Sequence, residues 1–179
     1  MRLLIYGFGP YKQFEDNITQ RVIRKLPGSR NLKKIVFPVR FNKKQFANAM
    51  NKYRSDVVLG LGQCSRGRRL RVERRAINRK RDNKKERARP IVRGGPRWLP
   101  TTLELGKSSL GKQAKSSHNA GDYVCNFSMY AVLDYLRRHR PATRFGFIHM
   151  PHGYRVSEAV RLLSRFLREL RSRTRAALD

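Results

Sequence analysis

The chain has 179 residues, with 42 Lys and Arg against 12 Asp and Glu, two Cys and 39% apolar side chains. That apolar fraction supports one globular domain over residues 1–179 and excludes a wholly disordered chain, while the net charge of +30 points by itself to a polyanion partner. No apolar run approaches the roughly 18 to 20 residues of a membrane span, and the run from Leu3 to Tyr6 is too short for a secretory signal. A cytoplasmic protein is therefore expected, and its two isolated cysteines, Cys64 and Cys125, form neither a disulfide framework nor a CxxC or Cys/His zinc pattern.

Short apolar runs alternate with amphipathic segments, the order expected of a sheet with crossover helices. Arg2 to Tyr6 reads as a buried strand turning away at Gly7. Asn17 or Asp16 caps a helix with Ile18, Val22, Ile23 and Leu26 at helical spacing, stopped by Pro27-Gly28. Lys34 to Val39 is the next strand, Lys43 to Tyr53 a helix, and Asp56 to Leu61 a third strand. The alternation then breaks. Between Arg66 and Arg97 stand 15 basic residues, opposed only by Glu73, Asp82 and Glu86. This partly looped segment reads either as a solvated loop or as a polyanion surface. Only Trp98, just beyond it, could stack on a base, so the block lacks the interleaved aromatics of a single-strand binding platform. Leu70 and Val72 still alternate like a strand, which turns Glu73 to the opposite face. Order returns with a helix from Gly121 to about Arg138, a strand from Arg144 to His149, and a last helix from Val156 to about Arg173.

Cys125 falls in the first turn of a helix entered through a Gly-containing turn, where backbone N–H groups and the helix dipole favour a thiolate. His149 ends a strand, where its side chain can face the same crevice and serve as the base, with Glu73 as a carboxylate to orient the imidazole. Each residue also has a structural reading: Cys125 as a small buried side chain, His149 as a satisfied core histidine, Glu73 as an exposed ion-pair member between Arg71 and Arg74. Cys64 lies near Arg66 and Arg68 without an evident base, and His118 and His152 are loop histidines in reserve.

These residues lie in motifs that resemble the pyroglutamyl peptidase type I family of cysteine peptidases. The family's strand followed by TGFxPFGG resembles Tyr6 to Tyr11; its middle motif resembles Gly62-Gln63, Val72-Glu73-Arg74 and Ala76-Ile77-Asn78. Its SxxAGxYxCN motif matches Ser117, Ala120, Gly121, Tyr123, Cys125 and Asn126, and its GFIHxP motif matches Gly146 to His149 and Pro151. Four motifs stand in the family's order along nearly the whole chain.

The resemblance implies a single-domain α/β/α sandwich with a twisted, mostly parallel sheet, and a catalytic triad of Cys125, His149 and Glu73. It implies removal of N-terminal pyroglutamyl residues from peptides through a thioester, with no metal or cofactor. It also implies a lactam pocket formed by Phe8, Tyr11, Gln63, Tyr123 and Val124. The backbone near Cys125, or Arg79 or Arg81, would supply the oxyanion donor. The chain departs from the family pattern in a shortened segment after Asn78, in Tyr11 for Phe, Ile18 for Pro, Val39 where Thr is common, and a shorter stretch after Pro151. Relatives often form tetramers; at +30 per chain, self-repulsion is expected to weaken such an oligomer. The alternative function is a protein on this fold that binds nucleic acid or another polyanion, with altered or lost peptidase specificity.

Overall fold

The computed structural model describes residues 1–11, 15–65, 67–83, 85–105, 110 and 114–175, so Arg66, at the start of the basic segment, lies outside the described residues. In chain order the elements are β1 (Leu3–Phe8), α1 (Ile18–Lys25), β2 (Leu32–Phe37), α2 (Lys43–Tyr53), β3 (Val57–Cys64), β4 (Leu70–Glu73), β5 (Arg75–Ile77), β6 (Trp98–Pro100), β7 (Ala114–Ser117), α3 (Val124–His139), β8 (Arg144–Pro151) and α4 (Val156–Arg175). No helix among the described residues is long and apolar enough to cross a membrane.

Six strands form one sheet in the order β2-β1-β3-β8-β4-β7. β2, β1, β3 and β8 run parallel, as do β4 and β7, and the two blocks meet at a single antiparallel seam between β8 and β4. β5 and β6 pair separately as a two-stranded antiparallel ribbon. The central strands are apolar because helices cover both faces: β1 is buried at every position. The edges are polar, with Lys33 and Lys34 on β2 and the sequence AKSS on β7, which blunts them against pairing with another chain.

Alternation along the strands builds two cores. Leu3, Ile5, Leu59, Leu61, Ile148 and Met150 face the layer holding α1 and α4. Leu4, Tyr6, Phe8, Val58, Phe145 and Phe147 face α2 and α3. Tyr6, fully buried, sits at the centre of the second core with Phe8, Phe37, Phe46, Phe145 and Phe147 around its ring at 5.5–6.5 Å.

The predicted α/β/α architecture is the one observed. Its boundaries move for local reasons. β2 occupies Leu32–Phe37 rather than Lys34 to Val39, since Pro38 has no N–H to extend the ladder. α3 starts at Val124, because Gly121 adopts a left-handed φ of 82° that no helical residue can share. Asn17, not Asp16, caps α1, accepting from the Thr19 N–H at 3.0 Å. β3 and β8 run to Cys64 and Pro151, three and two residues past the predicted ends, because they pair with each other all the way.

Candidate active site

The first turn of α3 presents Cys125. Asn119 Oδ1 accepts the Gly121 N–H at 3.0 Å, Gly121 reverses the chain, and Tyr123 enters the helix in extended backbone with no side-chain cap. The N–H groups from Tyr123 to Asn126 therefore have no acceptor within the helix and point out of its N-terminus beside the sulfur. Two buried polar side chains fix this turn. Asn126 accepts the Ile77 N–H at 2.9 Å and donates to the Ile77 and Arg79 carbonyls at 2.8 and 2.7 Å, tying α3 to the end of β5. Ser128 Oγ donates to the Cys125 carbonyl at 2.8 Å and accepts from the Tyr6 hydroxyl at 3.2 Å, tying it to β1.

The sheet beneath supplies the other two groups. Gly62 is the close-approach position: a Cβ there would stand 2.8 Å from Cys125 Sγ and 2.8 Å from the Phe147 ring, so only glycine lets the sulfur descend onto β3. In register beside Gly62 on β8 is His149. His149 alternates with Phe145 and Phe147, so it faces α3 and Cys125. Across the antiparallel seam Glu73 pairs with Phe147 and reaches diagonally to His149, with Oε1 at 2.7 Å from Nδ1. Both side chains are buried, the carboxyl completely.

Burial opposes ionisation of the Glu73 carboxyl, but the hydrogen bond and charge of His149, then Ser117 and Arg71, outweigh it and hold the group below the usual carboxylate range. Cys125 moves the other way. Burial pushes its thiol up to about 12, Cys64 and Glu73 push in the same direction, and Arg71 pulls it down. The resting site therefore holds a carboxylate, an imidazole whose Nδ1 is committed to it, and a protonated thiol.

Arg71 is the site residue that sequence reasoning missed. It shares a face with Glu73, is the register partner of His149, and places Nε 3.7 Å from Glu73 Oε1. The signal was present as the i, i+2 spacing on β4 but was hidden among the fourteen other basic residues of the segment.

The predicted oxyanion arginines are corrected. Arg79 is exposed and lines a cleft away from Cys125, and Arg81 Nε is held at 3.0 Å by Asp122 in the turn before α3, where it braces that turn. His118 and His152 are exposed loop residues. Cys64 ends β3 on the same face as Gly62, close enough to raise Cys125.

Of the predicted pocket residues, Tyr11 and Tyr123 are half-buried, joined by their hydroxyls and with ring centroids 5.5 Å apart. Phe41, which the sequence did not single out, packs edge-on against Tyr123 at 5.1 Å and carries Lys80 Nζ 4.7 Å above its ring. Phe8 and Val124 are buried under this wall. Gln63 alternates with Leu59 and Leu61 toward the α1 layer and commits its side-chain oxygen to the Ile18 N–H at 2.9 Å, holding the start of α1.

Residues 1–159 match the family model described as pyroglutamyl peptidase. The chain belongs to the pyroglutamyl peptidase family. Among curated relatives, the pyrrolidone-carboxylate peptidase of Coprothermobacter proteolyticus is 33% identical over 167 residues, covering 84% of this chain and 81% of that one. The pyrrolidone-carboxylate peptidase of Alkaliphilus oremlandii is 31% identical over 168 residues, covering 85% and 79%. A mutant pyrrolidone carboxyl peptidase from Pyrococcus furiosus superposes with a TM-score of 0.76 at 26% identity over 84% of this chain and 81% of its own. The pyroglutamyl peptidase I of Bacillus amyloliquefaciens, at 24% identity, shares the fold with a TM-score of 0.83, covering 92% of each chain.

In this pyroglutamyl peptidase family member, the thiol pushed up to about 12 has a direct readout. Below that value the thiolate fraction rises about tenfold per pH unit. Iodoacetamide labelling of Cys125, followed by peptide mass mapping on the substrate-free protein, is expected to accelerate steadily from pH 7 to pH 10. A plateau reached below pH 8 would mean a preformed thiolate and contradict this.

Proposed function

We propose that the protein is a cysteine peptidase that removes N-terminal pyroglutamyl residues from peptides, with Cys125 as nucleophile, His149 as general base and acid, and Glu73 as the carboxylate that orients the imidazole. The observation that carries the reading is the buried 2.7 Å contact between Glu73 and His149 Nδ1, set beside Gly62 under Cys125, in a chain of the pyroglutamyl peptidase family.

With Nδ1 engaged by Glu73, Nε2 is the nitrogen left to exchange protons. It takes the Cys125 proton as Sγ bonds to the pyroglutamyl carbonyl carbon, and the carbonyl electron pair moves onto oxygen. That oxyanion forms at the N-terminus of α3, where backbone N–H groups without an acceptor in the helix and the helix dipole are already oriented. The intermediate collapses by breaking the C–N bond, the leaving amine receives the proton from His149, and a thioester remains on Cys125. Water then gives a proton to His149 and bonds to the thioester carbon, and expulsion of the sulfur with return of the proton restores the thiol and releases pyroglutamate. Arg71 touches Glu73 and offsets negative charge as it develops on the sulfur.

Tyr11, Tyr123 and Phe41 offer flat apolar surface, which suits a small neutral lactam. The two cysteines, neither in a disulfide, suit a reducing compartment, the cytoplasm, a placement that cell fractionation tests. At +30 per chain we expect a monomer in dilute buffer that associates only as salt screens the charge. Light scattering that gives a salt-insensitive tetramer would overturn this.

A fluorogenic pyroglutamyl amide tests the reaction. Turnover is expected to vanish in Cys125→Ala and to fall about 100- to 10,000-fold in His149→Ala. Turnover by Cys125→Ala equal to that of the native chain would remove the nucleophile. Arg71→Met is expected to lower kcat about three- to tenfold with little change in KM, since the partly exposed guanidinium acts through a screened charge, and to slow Cys125 alkylation at every pH. An alkylation rate unchanged by Arg71→Met would contradict the electrostatic role.

A further inference from the structure

A second cavity lies apart from Cys125, His149 and Glu73, none of which lines it. It is a cleft of about 640 Å³ with the β5–β6 ribbon as one wall and the segment carrying Ala88, Arg89 and Pro90 as the other. Four guanidinium groups, Arg75, Arg79, Arg89 and Arg97, line it, and no acidic residue does. At its rim stands Trp98, 48% exposed and the one large apolar side chain exposed to that degree among the described residues.

The cleft is held open by structure that owes nothing to a ligand. Asn78 spans it from below, accepting the Ile91 and Val92 N–H groups at 2.8 and 2.9 Å and donating to the Val92 and Gly95 carbonyls at 2.8 and 3.2 Å. A backbone bridge joins Lys80 to Arg89 through two hydrogen bonds of 2.7 and 2.8 Å. Arg75 is aimed by its Nε donating to the His118 carbonyl at 3.0 Å, and its guanidinium stands 5.9 Å from the Trp98 ring centroid. Arg89 is partly neutralised by Asp82 and Glu86, but among the described residues Arg79 and Arg97 have no acidic partner.

Nothing in the removal of a neutral lactam uses these groups. Convergent guanidinium groups without a carboxylate select anions, and planar forks suit phosphate. A half-exposed indole with a guanidinium over its ring suits a stacked base. The segment from Asp82 to Arg97 that walls the cleft also carries exposed Arg87 and Arg93, more charge than one nucleotide requires. We infer that this cleft binds single-stranded nucleic acid, with an unpaired base on Trp98 and backbone phosphates on Arg75, Arg79 and Arg97. The inference is independent of the peptidase reading.

Trp98 is the only tryptophan of the chain, so its emission reports the base directly. Titrating the full-length protein with a ten-residue oligouridylate is expected to quench that emission and to raise the anisotropy of a labelled oligomer at the same concentrations. Three or four phosphate contacts make affinity fall about 20- to 50-fold between 50 and 200 mM salt. Trp98→Ala is expected to weaken oligouridylate at least about fivefold while leaving heparin, which has charge and no bases, unchanged. Arg97→Gln is expected to weaken both and to flatten the salt dependence. Thermal unfolding midpoints matching the native chain would show both variants folded, as expected for exposed positions; if either variant is unfolded, the emission and salt titrations of the native protein decide alone.

Oligouridylate that binds without quenching Trp98, or as tightly to Trp98→Ala, would overturn the stacking site. Uridine monophosphate binding as tightly as the ten-mer would make the ligand a free nucleotide and overturn the nucleic-acid proposal. Heparin and oligouridylate competing with equal affinity and no change in Trp98 emission would reduce the cleft to a nonspecific basic surface.

Discussion

Inside a chain of net charge +30, Glu73 is a carboxylate with no solvent exposure, hydrogen-bonded to an imidazole that is itself buried. A buried charge is stable only when paired, and this pair exists because the sheet reverses direction once. β4 runs antiparallel to β8 while β1, β2 and β3 run parallel to it, so β4 brings Arg71 opposite His149 and sets Glu73 within diagonal reach. An all-parallel neighbour would have pointed the same side chains along the opposite strand direction. The site is a product of that seam, and α3, Gly62 and Asn126 are arranged to bring one sulfur down onto it.

The positive charge and the neutral-ligand site are kept apart by the alternation of strand residues. Leu70 and Val72 enter the core on one face of β4, while Arg71 and Glu73 form a cross-linked pair on the other. Arg81 is consumed by Asp122, and Arg79, Arg75 and Arg97 turn outward to the second cleft. What meets the Cys125 turn instead is aromatic: Tyr123, Tyr11 and Phe41. The basic segment is thus not a uniform solvated loop, and it lays Lys80 over Phe41 on the aromatic wall. It supplies one cation to the thiol site and a separate arginine-lined cleft.

Much of this was legible in the sequence because burial leaves a periodic trace. β1, β3, α2 and β8 stood out as apolar runs or helical spacing, and Cys125, His149 and Glu73 stood in motifs resembling one family. β5, β6 and β7 did not, since RAI, WLP and AKSS are short and carry at most one buried residue each. The start of α3 was misplaced because left-handed φ at Gly121 leaves no mark beyond the glycine itself. Arg79 and Arg81 were misjudged because sequence places a charge near a site without revealing its partner. Phe41 was invisible as a wall residue, since it reaches Tyr123 only through the packing of α2 against α3.

The proposed reaction requires Cys125 to form a covalent bond to the acyl group while His149, fixed by Glu73, moves the protons. Its most direct test is intact-protein and peptide mass spectrometry of the enzyme quenched in acid during turnover of a pyroglutamyl amide. The expected result is a mass increase of one pyroglutamyl group located on Cys125, absent from Cys125→Ala. Turnover with the adduct on Cys64, or with Cys125 unmodified throughout, would contradict it.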